Sequence, residues 1–331
     1  MITNKPQAWP YLVKVFLLIL ILELSVSAAG AQESRAPYPL IYSTDLYYDI
    51  QDIDDHFDAA VLLKSPEVDL KGVILENHFY PSDGSKVMAK LMELTGRKVP
   101  VVEGLGLFQL RSFEDKGLYV DGQDGVELIL NTLHKSDHKV ALIAVGSMTD
   151  LAAAYLRDPD LWLQKVSAVY VVAGSAESPV QDYNVNLDPK AFVVLMRSKL
   201  PIIWVPVDSS MWYFPAQQML APPKNLLSHF LLQELQFWYL RNDWKAKTYK
   251  DRYEYYELGR WMWSTPAFVH VIRHPDASKM FDLVSADVEF DDRGVLKSIQ
   301  LGVSDSNIRV VKNVNGTKLN EFIVSRINRQ P

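Results

Sequence analysis

Short apolar runs and helical stretches alternate from Leu40 to Val205, and that alternation leaves the chain few architectures. The clearest run, Val140-Ala141-Leu142-Ile143-Ala144-Val145, has no polar residue on either face, the pattern of a parallel strand buried between helices. Leu40 to Tyr42, Val68 to Leu75, Val99 to Val102, Val169 to Val172 and Ile202 to Val205 read as further strands. Between them Phe57 to Leu63, Lys86 to Leu94, Gly125 to Leu133, Asp150 to Leu156 and Pro189 to Met196 read as helices, the second ending near Gly96. The expected fold is α/β, a mostly parallel central sheet with helices on both faces. Such sheets bind ligands beyond the carboxyl ends of their strands. The residues there are Asp45, Asn77, His78, Val145, Gly146, the stretch after Gly174, and Asp208.

Asp45, Asp54 and Asp55 fall where the first strand hands over to the first helix. Carboxylates crowded on one loop repel each other, a cost that a cation, a shared proton or a hydrogen-bond network offsets. A hard divalent metal is the simplest remedy, since Ca²⁺ and Mg²⁺ take oxygen ligands. The competing reading is that Asp54 and Asp55 only cap a helix whose N-terminus favours negative charge.

The first residues have a different character. Lys5 and Lys14 precede the apolar run Val15 to Leu22, and Ala29-Gly30-Ala31 supplies the small residues of a cleavage site. Residues 1–31 are therefore expected to be a signal peptide and 32–331 the functional domain, with the mature protein secreted or periplasmic. Glu23 interrupts the run, so stable membrane insertion is not expected after cleavage. With no cysteine the chain has no disulfide, thiolate ligand or cysteine nucleophile. The net charge of -6 comes from acidic and basic residues mixed along the chain, so no basic stripe suggests nucleic acid. Homo-oligomerisation is left open.

Four segments together resemble the inosine/uridine-preferring nucleoside hydrolase family: Ser43-Thr44-Asp45 with Ile53-Asp54-Asp55, Ser65-Pro66 through Gly72-Val73, Val145-Gly146-Ser147-Met148-Thr149-Asp150-Leu151-Ala152, and Asp182-Tyr183-Asn184-Val185-Asn186-Leu187-Asp188-Pro189. The family forms are DxDPGxDDA, a GPLTNLA-like turn and EFNxxxDPEAA. Asn307 to Ile327 looks like the family's closing strand and helix. The resemblance implies a Rossmann-like fold, a nucleoside or related ribosyl compound as small-molecule substrate, and calcium at the sheet's carboxyl edge. By position it makes Asp45, Asp55, the Val145 carbonyl and Thr265 the metal ligands, and Asp45 also the acceptor of the water's proton. Asp54, Asn77, Asp182 and Asn184 would bind substrate. Calcium would activate the water while carboxylates stabilise the positive charge growing on the sugar.

The departures are concentrated at two places. Ser43 stands where the family has the first aspartate of DxD, and the loop 46–53 carries extra residues, so Asp49 or Asp52 is an alternative ligand to Asp45. Near the C-terminus the family's His-Asp-Pro is matched by Ser264-Thr265-Pro266, which removes both the leaving-group acid and a calcium carboxylate. General-acid catalysis contributes roughly 10²–10⁴-fold, so that loss matters. His78 is a candidate replacement or a solvent-facing loop residue; His56 is expected on the outer face of its helix, and His270 and His274 lie beyond Thr265 by too many turns. Aromatic residues Trp238, Tyr239, Trp244, Tyr253, Tyr255, Tyr256, Trp261 and Trp263 either stack a base or pack in the core. Asn315-Gly316-Thr317 reads as a glycosylation sequon or a hairpin turn. Gly104-Leu105-Gly106 lacks the third glycine of a dinucleotide fingerprint, and Asp121 to Gly125 resembles a substrate loop without its histidine or is a surface turn.

The sequence thus points to a hydrolase cleaving an N-glycosidic bond with a calcium-activated water, or alternatively to a catalytically diverged nucleoside- or sugar-binding protein that keeps the pocket. A haloacid dehalogenase-type phosphatase also opens on a strand and DxD, but Ser43 replaces its nucleophile.

Overall fold

The computed structural model describes residues 36–46, 53–76, 84–106, 108–241 and 258–330. The signal segment, Asp49, Asp52, Asn77, His78, Trp244, Tyr253, Tyr255 and Tyr256 lie outside the described residues. Residues Pro37–Pro331 form one compact unit.

Strands β1 (Tyr38–Thr44), β2 (Val68–Leu75), β3 (Val101–Glu103), β4 (Val140–Ala144), β5 (Val166–Val171) and β6 (Ile202–Trp204) arise where the apolar runs were read, with ends shifted by up to three residues. The short strands β7 (Trp212–Phe214) and β8 (Arg260–Met262) form a separate two-stranded sheet among the described residues. The chain closes with β9 (Asp282–Phe290), β10 (Leu296–Leu301) and β11 (Ile308–Lys312). The main sheet runs β10-β9-β11-β6-β5-β4-β1-β2-β3. Every pair from β11 to β3 is parallel, whereas β9 joins β11 and β10 joins β9 antiparallel. The order β3-β2-β1-β4-β5-β6 is doubly wound, and its direction of winding reverses between β1 and β4.

Residues of β1 alternate between two cores, as the two-residue period of a strand requires. Leu40 and Tyr42 join the core on one face and Ile41 the core on the other. Helices cover both: α1 (Ile53–Leu63), α2 (Gly84–Thr95), α3 (Asp124–Lys135), α4 (Thr149–Arg157), α5 (Pro159–Lys165), α6 (Tyr183–Leu187), α7 (Pro189–Met196), α8 (Val207–Ser210), α9 (Ala216–Leu220), α10 (Leu226–Arg241), α11 (Thr265–Val271) and α12 (Gly316–Ile327).

Helix α1 positions the site, and every one of its residues is buried. It packs against α2, α10, α11, α12 and β8, which leaves it no solvent face. Phe57 and Phe214 meet edge to face at 5.5 Å and fasten it to β7. This corrects the expectation for His56: it is 3% exposed, because elements far along the chain cover what a single helix would show to water. The hairpin reading of Asn315-Gly316 is also corrected. Asn315 caps α12, its side chain accepting from the Lys318 N–H at 3.2 Å, so the step begins a helix.

Candidate functional site

Four strands end at one cavity. Asp45 follows β1, Val145 follows β4, Val172 follows β5 and Val207 lies just beyond β6, and all four line a space of about 450 Å³ at the reversal of winding. That volume is within the range of small-molecule sites, roughly 300–1,000 Å³. Asp54, Asp55, Asp182, Asn184, Arg260, Trp263 and Ser264 complete much of the wall. The sequence-nominated carboxylates thus converge. Asp54 and Asp55 sit in the first turn of α1, where unpaired N–H groups favour negative charge.

Each acid is held by a specific neighbour. Asp55 Oδ2 accepts from Thr44 Oγ1 at 2.5 Å, joining the helix to the end of β1. Asp54 Oδ1 accepts from Arg260 Nε at 3.0 Å and Nη2 at 2.8 Å. That guanidinium also lies 4.8 Å from the Trp238 ring centre and 5.4 Å from that of Trp263. Arg260 was not nominated from sequence, because nothing local marks it: it reaches Asp54 through the β7–β8 pair, which tertiary folding alone places there. Of the aromatic candidates, Trp263 lines the cavity, while Trp261 packs on Tyr213 and the Tyr239 hydroxyl donates to the Gly259 carbonyl at 2.6 Å.

Glu76 is a second unforeseen residue. It follows β2, is buried, and accepts from Ser43 Oγ at 2.8 Å and from the Ser147 N–H at 2.6 Å. Where Ser43 replaces a carboxylate of the family pattern, the neighbouring strand brings one back. A Cβ on Gly146 would lie 2.6 Å from Glu76 Oε2 and 2.9 Å from the Asp45 Cβ, so this glycine keeps the two acids close to β4.

Asp182 caps α6, its Oδ1 accepting from the Gly174 N–H at 2.7 Å and its Oδ2 from Asn184 at 3.2 Å. Burial raises its carboxyl above the ordinary range, and the main-chain donors offset part of that. Asn184 spends both amide protons on the Val145 and Val172 carbonyls, at 2.7 and 2.9 Å, which leaves its side-chain oxygen to accept from a ligand.

The Ser264-Thr265 pair has a partner that the sequence reading did not name. Asp58, one turn beyond Asp54 on α1, accepts from Ser264 Oγ and from Thr265 Oγ1, the latter at 2.8 Å. It is fully buried, and desolvation pushes its carboxyl up to about 7 against the pull of the two hydroxyls. Ser264 belongs to the cavity wall, while Thr265 is fully buried behind it. Thr265 Oγ1 donates to Asp58, and Thr265 is not among the cavity-lining residues that Asp45, Asp55 and Val145 belong to.

Of the other ligands expected for calcium, Asp45, Asp55 and Val145 all border the cavity, and the Val145 carbonyl, which accepts from Asn184, keeps a second lone pair. Among the described residues no three His, Asp or Glu side chains are grouped to hold a metal ion. Calcium takes 6–8 oxygen ligands, and the described donors do not make that shell. Arg260 brings positive charge to the acidic cluster through its pair with Asp54.

The remaining sequence signals resolve as structure. His270 pairs with the Tyr170 hydroxyl at 2.7 Å, and burial depresses its ring to about 4. The Leu105 N–H donates to Asp150, and Gly104 and Gly125 make room for that carboxylate, so both glycine segments serve a loop-to-helix joint. Asp208 accepts from the Ala176 and Glu177 N–H groups and from Ser175, which shapes the loop after Gly174.

The model of the family described as inosine-uridine preferring nucleoside hydrolase matches residues 41–321. An uncharacterised protein of Schizosaccharomyces pombe is 21% identical over 310 residues, covering 84% of this chain and 96% of that protein. The pyrimidine-specific ribonucleoside hydrolase RihA of an Enterobacter species is 27% identical over 178 residues, which is 47% of this chain and 56% of the relative. Among solved structures, a plant nucleoside hydrolase superposes with a TM-score of 0.66 at 17% identity, over 89% of this chain and all of the other. The inosine-uridine preferring nucleoside hydrolase of Bacillus anthracis gives 0.61 at 15% identity, over 88% and 99%. These superpositions show that the chain has the nucleoside hydrolase fold.

Proposed function

The chain belongs to the inosine-uridine preferring nucleoside hydrolase family, and from that premise we propose that it hydrolyses the N-glycosidic bond of a ribonucleoside or related ribosyl compound. The observation that carries this reading is the convergence of Asp45, Asp54, Asp55, Asp182 and Asn184 on one cavity at the carboxyl ends of the strands. In it, Asp45 takes the proton of the attacking water. Asp54, Asp182 and the Asn184 side-chain oxygen accept from sugar hydroxyls, while the surrounding carboxylates favour the positive charge that builds as the bond loosens. Trp263 provides a flat wall for the base.

Calcium, implied by the family resemblance, has weaker support, because the described donors do not form its shell; no step is routed through it. Export is a separate proposal that rests on the apolar run and the small residues to Ala31, and N-terminal sequencing of protein from its native host tests it. The function is tested with a ribonucleoside panel assayed for released base and reducing sugar, with calcium and with chelator. Release of both products is expected. Tight binding of a nucleoside by calorimetry with no release would favour the diverged binding protein instead.

A further inference from the structure

We propose that a second cavity, at the amino ends of the strands, is a binding site for a small organic phosphate, an inference that does not rest on the hydrolase reading. The cavity holds about 580 Å³, more than the acidic one. Pro37, which precedes β1, and Val68, which begins β2, line it, whereas Asp45 follows the far end of β1. The two cavities therefore lie at opposite edges of the sheet. Where the upper wall is acidic, the lower one is basic: Lys64, Arg97 and Arg329 line it against one carboxylate, Asp69, whose Oδ2 is 2.5 Å from Lys71 Nζ.

All three cations follow the C-terminal ends of helices, α1, α2 and α12, where positive charge complements the helix dipole. That role accounts for Arg97. Its Nη1 donates to the Ser65 carbonyl at 2.7 Å and the Leu62 carbonyl at 3.4 Å, and its Nη2 donates to the Val68 carbonyl, so the guanidinium is fixed across the end of α1. It does not account for the other two. Lys64 is partly buried, and among the described residues no acid lies within ion-pair distance of its ammonium. Burial and the Arg329 charge both depress that ammonium below its ordinary range. Arg329 has a loose partner at best: Glu67 Oε1 is 3.8 Å away, and both Glu67 oxygens accept from Arg326 Nη1, at 2.8 and 2.9 Å. Two like charges thus face one concave space, and an anion between them would turn repulsion into two attractions.

The lining also selects the anion. Three positive charges against one negative leave an excess of two, which matches a phosphate monoester, at about −1.5 to −2 near neutral pH, better than a carboxylate. Guanidinium groups pair with phosphate oxygens in a planar fork, and the lysine adds a point charge. Leu63 and Pro66 give the same cavity an apolar side on which an organic group can rest.

The test is calorimetry on the full chain at low ionic strength, where charges are least screened, with phenyl phosphate, inorganic phosphate and phenol as probes. Phenyl phosphate should bind saturably with a dissociation constant of about 1 mM, the scale of two charge-assisted contacts. Inorganic phosphate should bind more weakly, and phenol not at all. Lys64→Gln and Arg329→Gln should each weaken phenyl phosphate by roughly tenfold or more, in protein shown by a thermal melt to be folded. Asp54→Asn, at the other edge of the sheet, should leave that affinity unchanged. No saturable heat from the wild type up to about 10 mM phenyl phosphate, ten times the expected constant, would overturn the site. So would an affinity that Lys64→Gln/Arg329→Gln leaves intact or that Asp54→Asn abolishes. Binding here is read without turnover, so the site and the hydrolase reading fail separately.

Discussion

Replacing Arg260 by methionine removes the guanidinium and keeps most of the apolar contact with Trp238 and Trp263. Asp54 then loses both guanidinium donors while remaining on a wall shared with Asp45, Asp55 and Asp182. The side chains of the pair are 16% and 10% exposed, closer to a buried ion pair than to a surface one. Breaking a buried pair costs about 3–5 kcal/mol and a surface pair 0–1 kcal/mol. Because some solvent reaches this pair, about 3 kcal/mol is expected for Arg260→Met, with much of it restored in Arg260→Met/Asp54→Asn. Urea unfolding of wild type, both single variants and the double variant closes the cycle and yields the coupling energy. The same variant probes the metal question. If Arg260 supplies the positive charge that a calcium ion would otherwise bring, its removal should create affinity for calcium. With a dissociation constant of about 10⁻⁴ M, calcium at about 10 mM would stabilise the variant by about 2.7 kcal/mol. Wild type should gain far less. A coupling energy near zero, or equal stabilisation of both proteins by calcium, would refute the assignment of Arg260 as the resident cation.

Asp58 also sets a pH dependence of stability. Its folded-state carboxyl is raised from 3.8 to about 7, so the stabilising contribution is full below the unfolded value and is lost as pH rises through the folded one. Over that interval, at about 1.4 kcal/mol per pH unit, the loss is about 4 kcal/mol; Asp58→Asn should flatten the slope measured by urea melts from pH 4 to 8, and an unchanged slope would count against the assignment. Gly146→Ala places a methyl against Glu76 and Asp45, and should cost about 1–3 kcal/mol by overpacking, with reduced turnover; a neutral effect in thermal melts would show that the two acids move freely. Thr265→Asp, which the family pattern would recommend as restoring a calcium ligand, puts a second carboxylate against buried Asp58. It should destabilise the protein without tightening calcium, as calorimetry beside a melt would reveal.

The sheet and its covering helices were legible because they depend on local periodicity: a run such as Val140 to Ala144 can only be buried on both faces, and it is. The acids at the strand ends were legible for a related reason, since doubly wound sheets fix where strand-end residues meet. What could not be read are the pairings made across long separations. Nothing near Arg260 or Asp58 in sequence announces its partner, and Glu76 gains significance only once β1 and β2 lie side by side with Ser43 opposite. His56 failed as a surface residue because helical periodicity assumes one covered face, whereas α1 is covered all round.

The buried helix α1 has a consequence for the order of assembly. Its acids near the start of the chain find Arg260, Ser264 and Thr265 only 206 or 207 residues later. While the chain is being synthesised, α1 can dock on the early strands but has nothing to shield Asp54 or Asp58 until most of the polypeptide has emerged. Contacts of such separation are slow to form, because loop closure comes before any gain. A chain cut short before β8 would present an acidic helix on an otherwise apolar face, a surface suited to recognition by folding helpers and unsuited to nucleosides. The lining of the pocket is thus incomplete until the chain has been extended through Ser264.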